Sequence, residues 1–558
     1  MSPLLVMTVV LCETIQPYFM SVVVDRGVLL RDMTVITHIG GWMILCALIG
    51  LVANVCNVYV SSRVSTSFGA DLRTTLFTHI QSLSFSDIDR FGSASLITRM
   101  TNDITKIQQV ILMSMRILLR APMMLCLAVF FVVRIDADMA WVLLGAVPLL
   151  GGGIYWILRK GFPFFMRVQR LVDALNGVVR ENLINIRVVK SFVREDFETR
   201  KFEDRNEQLK DTVIRASNIV VLLFPLMQLI LNLSVVVVLW SGAYRVAAGE
   251  LQVGELISFV NYLMQILMSL MMLSMVIMTV ARAAASSQRV TEVLDAEPSL
   301  TNTSVGKQNH YRVERGEVEF RNVSFRYAGG ETDVLHEVSF KVQGGEVVAV
   351  AGATGAAKSS LMQLIPRLYD VTRGEVRVDG VDVRDYELDA LHEGIGMVLQ
   401  QSELFSGSIL ENLRWGKAGA SREEVEQAAR AAQAHDFIAA MPEGYDTLLG
   451  RGGVNLSGGQ KQRLCIARAL LRRPKVLILD DSTSAVDSET ERKLWDSLRS
   501  YAGETTLLVI TQRVQTMQAA DRVMVLEEGR LETIGTPEEL KIISPAYREI
   551  YRSQQIFV

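Results

Sequence analysis

The sequence predicts a two-part membrane protein, a six-helix all-α transmembrane domain followed by an α/β phosphate-loop domain. Three observations predict it. Long apolar runs are confined to about the first 285 residues, VVAVAG reads as a buried strand entering a Gly-rich loop that ends in lysine, and KVLILDD reads as a second buried strand ending in carboxylates. The chain of 558 residues is too long for one core, since single cores stop growing near ~250–300 residues. Its 50% hydrophobic and 21% charged content, with mean hydropathy +0.27, excludes disordered, collagenous and coiled-coil classes. A net charge of -3 gives no basic footprint, so nucleic acid is excluded as a partner on charge grounds. Five scattered cysteines without CxxC spacing support neither a disulfide scaffold nor a zinc module.

The apolar stretches lie at about 3–24, 36–60, 117–133, 138–158, 216–240 and 255–281, each near the ~20 residues that cross a ~30 Å hydrocarbon layer. The first lacks a basic leader and carries Glu13, Gln16 and Pro17, so it reads as a span and not a cleaved signal. The connections at 61–116 and 159–215 are long and helix-compatible, and are expected to project as arms of roughly 40 Å. Of the basic residues, 20 lie in or bordering these two segments and only Arg26, Arg31, Arg134 and Arg245 in the short loops. The long segments are therefore cytoplasmic, and the second half of the chain with them. Asn54, Asn57, Gln16, Gln228, Asn232 and Gln265 are expected to bond helix to helix. Glu13 either lines a pathway or lies near the headgroups, and Pro17, Pro122 and Pro225 are expected to kink or open their helices.

The expected boundaries are a transmembrane domain at 1–293, a polar linker at 294–316 and a nucleotide-binding domain at 317–558. Strands are expected around 317–325 and 337–343, joined by a Gly-rich turn. The phosphate loop runs Gly352-Ala353-Thr354-Gly355-Ala356-Ala357-Lys358-Ser359-Ser360. In G-x-x-x-x-G-K-[ST] the loop amides cradle phosphates, the lysine reaches the β/γ oxygens and the hydroxyl meets Mg2+. Here Ala357 replaces the glycine before the lysine, tolerable if its φ is helical. Asp480, at the end of KVLILDD, is placed as a ligand of nucleotide-bound Mg2+.

Leu456-Ser457-Gly458-Gly459-Gln460, followed by KQRLCIARAL and the Asp480 strand, resembles the signature segment of ATP-binding cassette proteins. The resemblance covers nearly the whole chain and is that of an exporter-type half-transporter. It implies that Ser457, Gly458, Gly459 and Gln460 address ATP across a dimer interface. It further implies that Tyr327 stacks on adenine, that Gln400 touches Mg2+ or water, and that Ser484-Ala485-Val486-Asp487 and GYDTLLGRGG are the D-loop and X-loop. Segments 84–104 and 185–195 resemble coupling arms. The site residues thus implied are Asp481, Gln512 and Gln400 for catalysis and Ser359, Gln400 and Asp480 for Mg2+.

Two positions depart from that pattern. Asp481 stands where the family has a catalytic glutamate, one methylene shorter in reach, and Gln512 where it has a switch histidine. Read together with Ala357, they lead to the expectation of a weakly hydrolysing site. On that reading the chain is the degenerate-site subunit of a bacterial heterodimeric multidrug exporter in the inner membrane. Its partner would carry the consensus glutamate, its cargo would be hydrophobic or amphipathic small molecules, and its surroundings membrane lipids. The alternatives are a lipid, lipopolysaccharide or peptide transporter and, from another class, a nucleotide-gated channel or regulatory membrane protein.

Overall fold

A computed structural model describes residues 1–300 and 311–555. Residues 301–310 of the expected linker lie outside the described residues. By contacts the chain divides into two units, Met1–Thr78 with Ile97–Asp295, and His79–Leu96 with Ala296–Val558.

Among the described residues, six helical segments are long and apolar enough to cross a membrane. The helices do not stop where hydropathy does. Met33–Ser82 is one helix of 50 residues and Trp141–Ile184 one of 44, because the polar continuation of each has no breaker other than prolines the helix absorbs. Short helices Phe85–Phe91 and Ile186–Ser191 sit at the turns, and Ser93–Ile135 and Glu195–Val221 return. The helix pair Glu195–Val221 and Leu223–Ala247 is interrupted just ahead of Pro225, whereas Pro17 stays inside Ser2–Val22.

Glu13 forms an ion pair with Arg120 at 2.5 Å, and both side chains are about one third exposed. Most of the intramembrane amides whose bonds are resolved join different helices: Gln16 donates to the Met43 carbonyl at 3.0 Å, and Asn57 accepts from Ser2 at 2.7 Å. Gln228 instead reaches Asn232 on its own helix, at 3.5 Å.

In the second unit a six-stranded sheet runs in the order Arg530–Gly535, Arg522–Glu527, Val347–Ala351, Thr506–Ile510, Val476–Asp480, Ile395–Val398. All neighbours are parallel except the first pair. A four-stranded antiparallel sheet orders Leu335–Val342, Val318–Phe325, Arg373–Val378, Val381–Asp382. Strand periodicity explains the layers: Val348 and Val350 face the core shared with Phe320 and Phe340, while Ala349 and Ala351 face Met517, Leu540 and Tyr547. The parallel strands place their carboxyl ends, where Asp480 and Ile510 pair in register, at one edge beside the loop that follows Ala351.

Candidate functional site

At that edge the backbone turns sharply after Ala351. Gly352 has φ 149°, and a Cβ there would lie 2.3 Å from the Leu526 carbonyl oxygen, so only glycine fits. Ala357 has φ 67° and ψ 24°. The condition under which its Cβ would be tolerated, a right-handed helical φ, is not met: the loop takes a left-handed residue here, and alanine occupies it with its Cβ under strain.

A cavity of about 310 Å3 opens at this point. Thr354, Gly355, Ala357, Lys358, Ser359 and Ser360 line it from the loop, Asp480, Asp481, Gln400 and Gln512 from the strand ends. Ala356 is buried in the core instead. Lys358 is buried, its Nζ donating to the carbonyls of Gly352 at 3.0 Å and Ala353 at 2.8 Å. Burial holds this lysine below its ordinary pKa, against the pull of Asp480 and Asp481.

Burial also pushes the Asp480 carboxyl above the usual range, opposed by a hydrogen bond from Ser359 and reinforced by Asp481. Asp481 is raised by burial too, with Arg513 and Lys358 pulling the other way. It adopts φ 46°, a conformation that aspartate tolerates better than longer side chains.

The donor set of Ser359 hydroxyl, Gln400 amide and Asp480 carboxylate consists of hard oxygens. It suits Mg2+, which keeps several waters and takes one or two carboxylates together with substrate phosphates. Among the described residues no three His, Cys, Asp or Glu side chains converge.

Ser457 does not line the cavity. It is exposed and caps helix Gly458–Leu471, accepting from the Gln460 amide at 3.3 Å while the Gln460 side chain accepts from the Ser457 amide at 2.9 Å. Gly459 packs against the D-loop: a Cβ would lie 2.7 Å from the Ala485 carbonyl oxygen. Tyr327 also stands outside the lining, its hydroxyl 2.8 Å from Ser360 Oγ.

Three residues that sequence reasoning did not single out hold these parts together. Gln462 accepts from the Ala485 amide at 3.0 Å and donates to Ser484 Oγ at 3.2 Å. Arg513, beside Gln512, donates to the carbonyls of Ser484 at 3.0 Å and Val486 at 2.9 Å and pairs with Glu491. Glu491, buried, also accepts from Thr483 at 2.9 Å and Thr516 at 3.0 Å. In the sequence these read as ordinary polar residues of helices and turns.

Residues 1–270 match the family model described as ABC transporter transmembrane region, and residues 335–484 the one described as ABC transporter. The uncharacterized ABC transporter ATP-binding protein YfiB of Bacillus subtilis is 40% identical over 99% of this chain and 95% of its own length. An ATP-dependent lipid A-core flippase of Syntrophus aciditrophicus is 33% identical over 91% of this chain and 84% of its own. The solved structure of a bacterial Atm1-family ABC exporter with ATP bound superimposes with TM-score 0.82 at 27% identity, over 99% of this chain and 97% of that one.

These matches correct the expectation of a degenerate-site subunit in a heterodimeric multidrug exporter with a glutamate-bearing partner: the chain matches, nearly end to end, exporters described in other terms. The physical reason lies in the site. One chain already carries a formed phosphate cavity, in which Asp481 and Gln512 take part, and an exposed, capped signature, so its geometry does not demand an unlike partner. The chain belongs to the ABC transporter family, as an integral inner-membrane exporter chain whose cytoplasmic cassette binds and hydrolyses ATP.

Proposed function

We propose that two copies of this chain form an ATP-driven exporter of hydrophobic, lipid-like compounds. The observation that carries the pairing is the separation of phosphate cavity and signature within one chain, each complete and each needing the other's counterpart. The lipid-like cargo is supported by relatives described as lipid A-core flippases.

In this reading the loop from Gly352 through Ser360 cradles the phosphates, and Lys358 leaves its loop carbonyls for phosphate oxygens. Ser359, Asp480 and Gln400 hold Mg2+, which neutralises phosphate charge when bound. Asp481 accepts a proton from the attacking water, its raised carboxyl making it a better base than an ordinary aspartate, and Gln512 orients that water. Tyr327 supports adenine, and Ser457, Gly458, Gly459 and Gln460 of the second copy close the site at a helix N-terminus. Closure and reset of the paired cassettes then favour two membrane-domain states in turn.

The test uses the full chain in phosphatidylethanolamine–phosphatidylglycerol vesicles carrying a fluorescent short-chain phosphatidylethanolamine. MgATP is expected to move the probe between leaflets, and Lys358→Ala to abolish the movement. Hydrolysis of ATP with the probe left in place would overturn the lipid reading.

A further inference from the structure

The arm helix Phe85–Phe91 belongs to the same contact unit as the cassette, and it is anchored there at two points. Asp87 accepts from the Ser299 amide at 3.0 Å and from Ser84 Oγ at 2.7 Å. The second anchor is different in kind. Tyr369 donates its hydroxyl to Asp89 Oδ2 at 2.7 Å, and its ring lies 6.5 Å from that of Phe85.

The Tyr369 ring also meets Tyr327 edge-on, at 5.3 Å and 86°. Phe325 completes the cluster, 4.7 Å from Tyr327 and 5.7 Å from Tyr369. Tyr327 in turn reaches Ser360, the residue next to the Mg2+-site Ser359. A single half-buried ring therefore touches both the arm helix and the aromatic residue beside the phosphate loop. Edge-to-face pairs have a preferred geometry, so tilting one ring shifts its neighbour.

We propose that Tyr369 is a positioning residue that couples the adenine support Tyr327 to the arm helix Phe85–Phe91, so that the base of the bound nucleotide, and not its phosphates alone, sets the hold on the arm. Burial and the Asp89 carboxylate keep the Tyr369 phenol well above its ordinary pKa, so the hydroxyl remains a donor throughout the working range of pH. Phosphates act on the loop and strand ends; the base acts on Tyr327, and Tyr369 is its neighbour on the way to Asp89. The inference rests on the proposed adenine role of Tyr327.

The experiment measures amide hydrogen exchange of residues 84–92 in the full-length chain in vesicles, with MgATP or with Mg-tripolyphosphate, which lacks a base. MgATP is expected to slow exchange in the native chain, and tripolyphosphate at saturation to slow it far less. Tyr369→Phe keeps the ring and loses the hydroxyl; it should reduce the MgATP protection about threefold with an unchanged KM for ATP. Asp89→Ala should do the same, and Asp89→Asn, which retains an acceptor, should restore protection. Tyr327→Ala should raise the KM for ATP about fivefold or more. Equal protection by ATP and tripolyphosphate, or full protection in Tyr369→Phe, would overturn the coupling while leaving the adenine reading intact. An unchanged KM in Tyr327→Ala would overturn both.

Discussion

Ala357 sits at φ 67°, where an L side chain costs about 1–2 kcal/mol relative to right-handed backbone. Replacing it with glycine removes that strain and gives back about 0.4–1 kcal/mol through the freer unfolded chain. Ala357→Gly is therefore expected to raise the unfolding temperature of the full chain by roughly 1–3 °C. A lowered midpoint would mean that the loop is not strained. As the proposed base, Asp481 is expected to matter for rate instead of stability, since its carboxyl lines the cavity and is raised by burial. Asp481→Asn should lower kcat about a hundredfold or more, with the KM for ATP little changed, because a base acts in the transition state and not in binding. An equal loss in Asp481→Asn and in a remote control variant would remove Asp481 from the reaction. That Lys358, Ser359 and Asp480 would be gathered at one place, after a turn at Gly352, was legible from spacing alone. The left-handed Ala357 was not, since a sequence shows which residue stands at a position but not which φ its neighbours impose.

At the scale of elements, helix Gly458–Leu471 packs against the D-loop at Gly459 with no room for a side chain. A Cβ on Gly458 would rest at 3.4 Å from the Ala485 side chain, an ordinary contact, whereas one on Gly459 would meet a backbone oxygen at 2.7 Å. Gly459→Ala should cost about 1–3 kcal/mol and Gly458→Ala much less, read as unfolding midpoints of the full chain. Equal midpoints would contradict the packing described. The arm helix makes a second case. Burial works against the charge of Asp87, but hydrogen bonds from Ser299 and Ser84 outweigh it and hold the carboxyl below its ordinary range. A lowered pKa stabilises the folded form fully above the unfolded value of about 3.9 and loses that contribution only as pH falls through the lowered value. The tether is thus constant near neutrality. Asp87→Ala should speed amide exchange over residues 84–92 by about tenfold at pH 7; unchanged exchange would show that Ser299 does not hold the helix. Periodicity and hydropathy gave the six spans and four of the cassette strands, those around 317–325, 337–343, 347–351 and 476–480, because each is a local pattern. They could not give the Glu13–Arg120 pair or the Glu491–Arg513 hub, which depend on partners distant in sequence.

For the whole molecule, the proposed pairing joins two identical chains isologously, so that the phosphate cavity of each and the signature of the other form two equivalent sites. On that proposal Asp481 and Gln512, which as bare letters suggested a weakly hydrolysing site, belong to both sites, and the slower chemistry expected of a shorter base is shared equally between them. Complementation tests this arrangement most directly. Lys358→Ala disables a chain's phosphate loop and Ser457→Arg its signature, so each variant alone should have almost no ATPase activity. Co-expressed in equal amounts, the two form mixed pairs in which the Lys358→Ala chain offers its intact signature to the intact loop of the Ser457→Arg chain. Half of randomly assembled pairs then hold one working site of two, and the purified mixture should hydrolyse ATP at about one quarter of the native rate if the sites act independently. A mixture no more active than either variant alone would contradict a site shared between two copies of this chain.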